Sequence, residues 1–396
     1  MKTNWPNIKL GEVVTMTARS EVPSPGTTYR QIGVKLWGEG AYERETIDGI
    51  KTKYAHLFRA ETGDIIVNKI WARNGSVAVV PSSLSGSYGS GEFPMFVPKP
   101  DSLDSRWMHW ITKTPTFWEQ CDEKSRGTSG KNRIRPEQFL RIEIPLPPVA
   151  EQRRIVARIE DLAAQVQEAR TLRQQAMTEA EALVGAGARK DFEELTQTQP
   201  IEAIAEVRGG IQKGPHRAPG ANPVRYLTVA HVQRNRILAD NPRFFEVTPE
   251  ELDRWRLLPG DVLIIEGNGS AEQIGRTALF RGEIVNCVHQ NHVIRIRPNQ
   301  QQVLPDFLNF FLNSPTGQDS VQGQSRTTSG LRTLSVGRIK AIEVPVPPLS
   351  EQLRTISYLA ELQQKADALK QAQAETAAGL SALMPSILDK AFRGEL

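Results

Sequence analysis

The chain has 396 residues, 39% of them apolar and 24% charged, with a formal net charge of +4. At about 150 residues per domain that length calls for two or three domains. The composition excludes a collagenous, disordered or disulfide-stapled chain. No run approaches the roughly 18 uninterrupted apolar residues of a membrane span. The opening MKTNWPNIKL has no apolar stretch after its lysine, so no secretory signal is expected. Cys121 and Cys287 lack metal-ligand spacing and read as free thiols of a cytoplasmic protein.

In chain order, GDIIV (63–67) and VAVV (77–80) read as strands and RWMHWIT (106–112) as a short helix. The loop Ser125-Arg126-Gly127-Thr128-Ser129-Gly130-Lys131-Asn132-Arg133 follows, then IEIPLPPVAEQ (142–152). After Pro147-Pro148 apolar or small residues recur in steps of three or four: Ile155, Ile159, Leu162, Val166, Ala169, Leu172, Ala176, Ala180 and Leu183. That is a helical stripe. The same text then returns. DVLII (261–265) and HVIRI (292–296) read as strands and PDFLNFFLN (305–313) as a helix. Next come Ser325-Arg326-Thr327-Thr328-Ser329-Gly330-Leu331-Arg332, IEVPVPPLSEQ (342–352), and a stripe through Ile356, Leu359, Leu362, Ala366, Leu369, Leu380, Leu383 and Ile387. The offset is 200 from the Arg-x-Thr-Ser-Gly loop to the end. It drifts to 197 at Gly63-Asp64 against Gly260-Asp261, and to 194 if Leu10-Gly11-Glu12-Val13 matches Ile204-Ala205-Glu206-Val207. The chain is a duplication. Each copy is an α/β part followed by a long helix: 1–148, 149–198, 199–348 and 349–396. Ser350 is positioned to cap the second helix, where Ala150 offers no cap oxygen to the first.

A one-sided stripe must be buried. Each helix could pack on its own α/β part, or the two could pack on each other as a coiled coil. The second arrangement uses Ile155, Ile159, Leu162, Val166 and Leu183 against Ile356, Leu359, Leu362, Leu369 and Leu383, antiparallel under a pseudo-two-fold. The α/β parts carry net charges of +4 and +3, and the helices −2 and −1. In the second α/β part 15 of 17 basic residues are arginine, which pairs with phosphate and reads guanine through its planar fork.

The repeated loops combine small hydroxyls, glycines and basic residues, which suits close approach to a phosphate backbone. Their candidates are Arg126, Thr128, Ser129, Lys131 and Arg133, and Arg326, Thr328, Ser329 and Arg332. Asn74, His231, Asn268, Gln290 and Asn291 are candidate base readers. The copies diverge at such positions: Ser90-Gly91-Glu92 stands where Gln290-Asn291-His292 stands. Two different sequences are then read on one frame. Catalytic motifs are missing. Gly130-Lys131 is followed by Asn132, and Ser125 occupies the first glycine position of a phosphate-binding loop. Asn222-Pro223-Val224 and Asn241-Pro242-Arg243 fail as an adenine methyltransferase motif. Asp261…Glu266-Gly267-Asn268 lacks the lysine of a metal-dependent nuclease. His289 and His292 cannot share a metal from one strand, where their side chains face opposite ways. No catalytic residue and no metal site is assigned.

A basic α/β domain ending in I-P-x-P-P-x-x-E-Q, followed by a long helix and repeated once, resembles the specificity subunit of type I restriction–modification systems. The terminal ILDKAFRGEL (387–396) is similar to the usual end of such subunits. The resemblance implies two recognition domains, each reading half of an asymmetric bipartite DNA site, with the two helices as an antiparallel spacer. It implies two methyltransferase subunits as partners, methylating adenine N6, with restriction subunits joining them. S-adenosylmethionine, ATP and magnesium would then sit on those partners, with no cofactor in this chain. A coiled-coil DNA adaptor without an enzyme partner, or a cryptic nuclease, are the other classes consistent with the residues.

Overall fold

A computed structural model of the chain describes residues 5–125, 132–214, 217–268, 273–328 and 331–396. The chain forms two compact units, Met1–Leu172 with Ala374–Leu396, and Arg173–Gln373. Each therefore holds one α/β part, one half of the helix Val149–Glu193 and one half of the helix Leu349–Phe392.

In the first unit a four-stranded antiparallel sheet runs Val14–Thr17, Met95–Pro98, Ile65–Val67, Val77–Val79. Alternate residues of a strand face opposite ways. Ile65 and Val67 accordingly enter one core with Phe96, Trp107 and Phe139, while Ile66 enters a second with Ile32, Ala78 and Met95. Covered on both faces, the strand is continuously apolar. The second unit repeats the sheet as Ala205–Arg208, Val293–Pro298, Val262–Ile265, Thr277–Leu279. Val262 and Ile264 meet Phe307, while Leu263 and Ile265 meet Phe280. The turn before each central strand is also shared. Gly63 and Gly260 take φ of +87° and +98°, where a side chain would be strained. The buried carboxylates of Asp64 and Asp261 accept from the amides of Glu61 and Leu258 at 2.8 and 2.7 Å. Both also accept from arginines, but from different places in the chain: Arg19 and Arg297.

Around this shared frame the units differ. The first carries a five-stranded sheet containing the hairpin Thr28–Val34/Ala41–Asp48. The second carries a three-stranded sheet of Arg243–Glu246, Pro223–Leu227 and Val288–His289. The start of the chain also matches differently from the sequence expectation. Leu10 donates to Ile142 O at 2.8 Å, and Ile201 donates to Ile342 O at 3.0 Å. Leu10–Val13 therefore corresponds to Ile201–Ile204, an offset of 191 rather than 194. Short apolar runs align in more than one register, and only the hydrogen bonds choose between them.

The Pro-Pro-x-x-Glu-Gln element has a structural explanation. Gln152 and Gln352 are fully buried at the starts of the long helices. Gln152 Nε2 donates to Ser102 O and Pro147 O at 2.8 Å each, and its Oε1 accepts from Asp104 N at 2.9 Å. Gln352 repeats this with Gln302 O, Pro347 O and Leu304 N, all at 2.8 Å. Ser350 does not cap its helix, which already starts at Leu349. The carbonyls of Pro148 and Pro348 open the two helices alike by accepting from residues 151–152 and 351–352.

The long helices run antiparallel within each unit. In the first, Ile155, Val156 and Ile159 share a core with Leu388 and Ala391, and Phe392 meets Trp107 edge-on at 4.9 Å. In the second, Leu359 shares a core with Ala188 and Phe192, and Phe192 meets Phe307 and Phe311 at 5.4 and 5.3 Å. Each helix packs its first turns on its own α/β part and its last turns on the other, so both sequence alternatives hold. Gln373 Nε2 donates to Arg173 O at 3.3 Å, and the Arg173 guanidinium donates to Gln373 O.

Ile155, Ile159 and Val166 are buried, as are Leu359 and Ala366, while Leu162, Ile356, Leu362 and Leu369 are half-buried. Leu183 and Leu383 do not belong to the seam: they are 61% and 44% exposed, and Leu172 is 57% exposed. Half-buried Val184 and Met384, one residue further on, take their places. A straight helix drifts about 20° per heptad against a 3.5-residue repeat, so four heptads from Ile155 to Leu183 amount to about 80°. The buried positions Ile155, Val166 and Ala188, and likewise Thr355, Ala366 and Leu388, keep multiples of 11 instead.

Candidate nucleic-acid interface

Arg126, Thr128, Ser129, Lys131 and Ser329 lie outside the described residues. In the second unit Arg326–Thr328 and Leu331–Thr333 form an antiparallel pair, and the latter pairs with Gly267–Asn268. Asn268 and Thr327 are both register partners of Arg332. The structure thus brings Arg326, Thr328, Arg332 and Asn268 into one small sheet, which the sequence did not indicate.

The segment leaving each loop is tied to the end of the central strand. Ile134 N donates to Lys69 O at 2.9 Å, and Lys69 N to Glu92 O at 3.1 Å. Leu334 N donates to Glu266 O at 2.6 Å, and Glu266 N to His292 O at 3.0 Å. The next turn is shared too, with Phe93 N on Ser90 O and Val293 N on Gln290 O. Lys69, Glu92 and Ile134 therefore occupy the same backbone positions as Glu266, His292 and Leu334.

The side chains at these corners differ. In the first unit Glu92 Oε1 lies 3.2 Å from Arg133 and 3.8 Å from Lys69 Nζ. In the second, His292 Nδ1 lies 2.8 Å from Glu266 Oε2, with Asn291 Nδ2 3.4 Å from the other ring nitrogen. Arg133 and His292 are 50% and 56% exposed. Of the other candidates, Gln290 and Asn291 sit half-buried in the turn leading to His292. Their amides donate to Leu227 O and Ile211 O at 2.9 Å each. Asn74 ends a short 3-10 turn, and its carbonyl accepts from Trp37 N at 2.7 Å. The reading of His231 as a base contact does not fit: it is buried, its Nδ1 accepts from Thr228 N at 2.9 Å, and its Nε2 lies 3.3 Å from Asn241 O. His289 is fully buried with Nδ1 2.6 Å from Val293 O, so burial lowers its pKa to about 4. Sequence reading missed Lys69, Glu266 and the partnership of Glu92 and His292. The divergence at 90–92 against 290–292 was their one visible signal.

The sequence matches the family described as type I restriction modification DNA specificity domain over residues 2–176 and 235–377. It is 29% identical over 302 residues to the type I restriction enzyme EcoKI specificity subunit of Escherichia coli. It is 26% identical over 302 residues to the StySPI specificity subunit of Salmonella potsdam. Each match covers 72% of this chain and 64% of the relative's length. Among solved structures, the HsdS subunit from Thermoanaerobacter tengcongensis superposes over 99% of this chain and 97% of its own, with a TM-score of 0.64 and 26% identity. A chain solved in work on complex assembly and conformational transition of the type I R-M system shares the fold over the full length of both, with a TM-score of 0.76 and 23% identity.

Proposed function

This chain belongs to the type I restriction–modification DNA specificity family, and on that premise we propose that it reads an asymmetric two-part DNA site and directs adenine-N6 methyltransferase subunits to it. One observation carries the reading. Two units share a backbone frame down to individual hydrogen bonds, while the side chains at matched positions beside the repeated loops differ. A constant scaffold with divergent exposed polar groups is what reading two unlike half-sites requires. The chain is a non-catalytic cytoplasmic subunit in this reading. Two methyltransferase subunits, and restriction subunits where the system cleaves, supply S-adenosylmethionine, ATP and magnesium chemistry. No helix among the described residues is long and apolar enough to cross a membrane.

The test is to co-express the chain with its methyltransferase subunit and map methylated adenines. A single interrupted motif with unlike halves is expected; methylation without such a motif, or none, overturns the reading. Salt titration of DNA binding adds a second test. Arg126→Ala and Arg326→Ala should each lower the slope of log affinity against log salt by about 1 if these residues neutralise phosphates. An unchanged slope removes them as phosphate contacts, and an unchanged slope with one motif position made degenerate assigns them to base reading instead.

A further inference from the structure

We propose that the matched corners, Lys69, Glu92 and Arg133 in one unit and Glu266 with His292 in the other, select a base pair in each half-site. This rests on the DNA-reading function above and names the residues that carry its specificity. Three observations converge. The corners are tied by backbone hydrogen bonds to the segments leaving the repeated loops, so a duplex held by those loops passes beside them. The backbone bonds are the same in both units, so the change of side chain is not a consequence of a change of fold. The charge at the central position is inverted: Lys69 beside Glu92 in one unit, Glu266 beside His292 in the other.

Stability does not explain the inversion. Partly exposed ion pairs contribute little, and either polarity would hold the turn equally well. The first corner is also incompletely paired: Glu92 Oε2 is buried without a hydrogen-bond partner among the described residues. Base chemistry does explain it. Lys and Arg donate to guanine O6 and N7, whereas Glu accepts from cytosine N4. In the first unit Glu92 is a positioning residue that holds Arg133 and Lys69 ready to donate to a guanine. In the second, His292 orients Glu266 to accept from a cytosine, with its other ring nitrogen against Asn291. Each half-site accordingly contains a G·C pair at the position beside its corner, read in the major groove through its guanine in one half-site and its cytosine in the other.

The experiment co-expresses full-length variants with the methyltransferase subunit and maps methylated adenines across a genome. Arg133→Gln with Lys69→Met should make one G·C position of one half-site degenerate, with discrimination there reduced about tenfold to a hundredfold, and leave the other half intact. Glu266→Gln should do the same in the opposite half only. Should Glu266→Gln fail to fold by its urea midpoint, His292→Gln takes its place with the same expectation. An unaltered motif in folded variants, or degeneracy in the wrong half, overturns the corner assignment while the two-part reading stands. A wild-type complex with no two-part motif overturns the reading itself.

Discussion

Replacing Gln152 or Gln352 by leucine tests how the repeated Pro-Pro-x-x-Glu-Gln element works. Leucine fits the volume but makes no hydrogen bond. Gln352→Leu leaves Leu304 N, Gln302 O and Pro347 O without their partner, and Gln352 itself has no solvent exposure. Three lost bonds at about 1 kcal/mol each, plus a desolvation cost for groups that water cannot reach, give a loss of about 3–5 kcal/mol. That is a large part of the 5–15 kcal/mol typical of a domain. Gln152→Leu removes three bonds of the same lengths to within 0.1 Å, so it should cost the same. Glu151→Ala is the control. Its partner Arg154 is only three residues away and the two side chains are 54% and 36% exposed for Arg154 and Glu151, so it should cost less than about 1 kcal/mol. Urea unfolding of the three full-length variants measures the differences. A glutamine variant losing less than 1 kcal/mol, or a glutamate control losing as much as the glutamines, refutes the assignment of the motif's glutamine as the structural anchor.

The 11-residue seam predicts that Val166→Asp, at a 7% exposed position, destabilises by more than about 3 kcal/mol while Leu172→Asp, at 57%, costs under about 1; equal losses in urea melts would restore the heptad seam. Burial lowers His109 and His289 to about 4 from 6.5, so their unfolded forms take protons first. The two histidines should add no pH dependence well above pH 6.5, and stability should fall progressively from there toward pH 4, with His289 alone contributing about 3 kcal/mol. His289→Leu should flatten that fall, and an unchanged acid slope counts against it. Thr355 hydrogen-bonds the Asp191 carboxyl, whose pKa burial raises, and the matched positions in the first unit are Ile155 and Ala391. A fragment of residues 1–198 that pairs with a second copy sets Asp191 against Ile155, so Asp191→Ala should tighten that dimer at least tenfold in sedimentation equilibrium. An unchanged or weaker dimer would show that the pairing is not antiparallel in this register.

The duplication, the central strands and the long helices are legible in the sequence because each rests on a local pattern. IIV and VLII mark a strand covered on both faces, and a Pro-Pro pair before steps of three and four marks a helix start. Periodicity of that kind fixes which element forms but not its accumulated rotation. Leu183 and Leu383 therefore match the heptad period although the seam has already turned past them. Ser350 looked like a cap because capping residues are recognised by type, while the helix start was set one residue earlier by Leu349 and the carbonyl of Pro348. Nothing in the glutamine of the Glu-Gln pair distinguishes it from its half-buried neighbour until the loop 302–304 is folded over it. The corners are the extreme case. Lys69 and Glu92 are 23 residues apart, Glu266 and His292 are 26, and each pair is joined only because neighbouring strands of the central sheet end side by side. Local spacing decided the elements, whereas side-chain partnerships across the sheet depended on which strands hydrogen-bond and in what register, and those are properties of the folded chain.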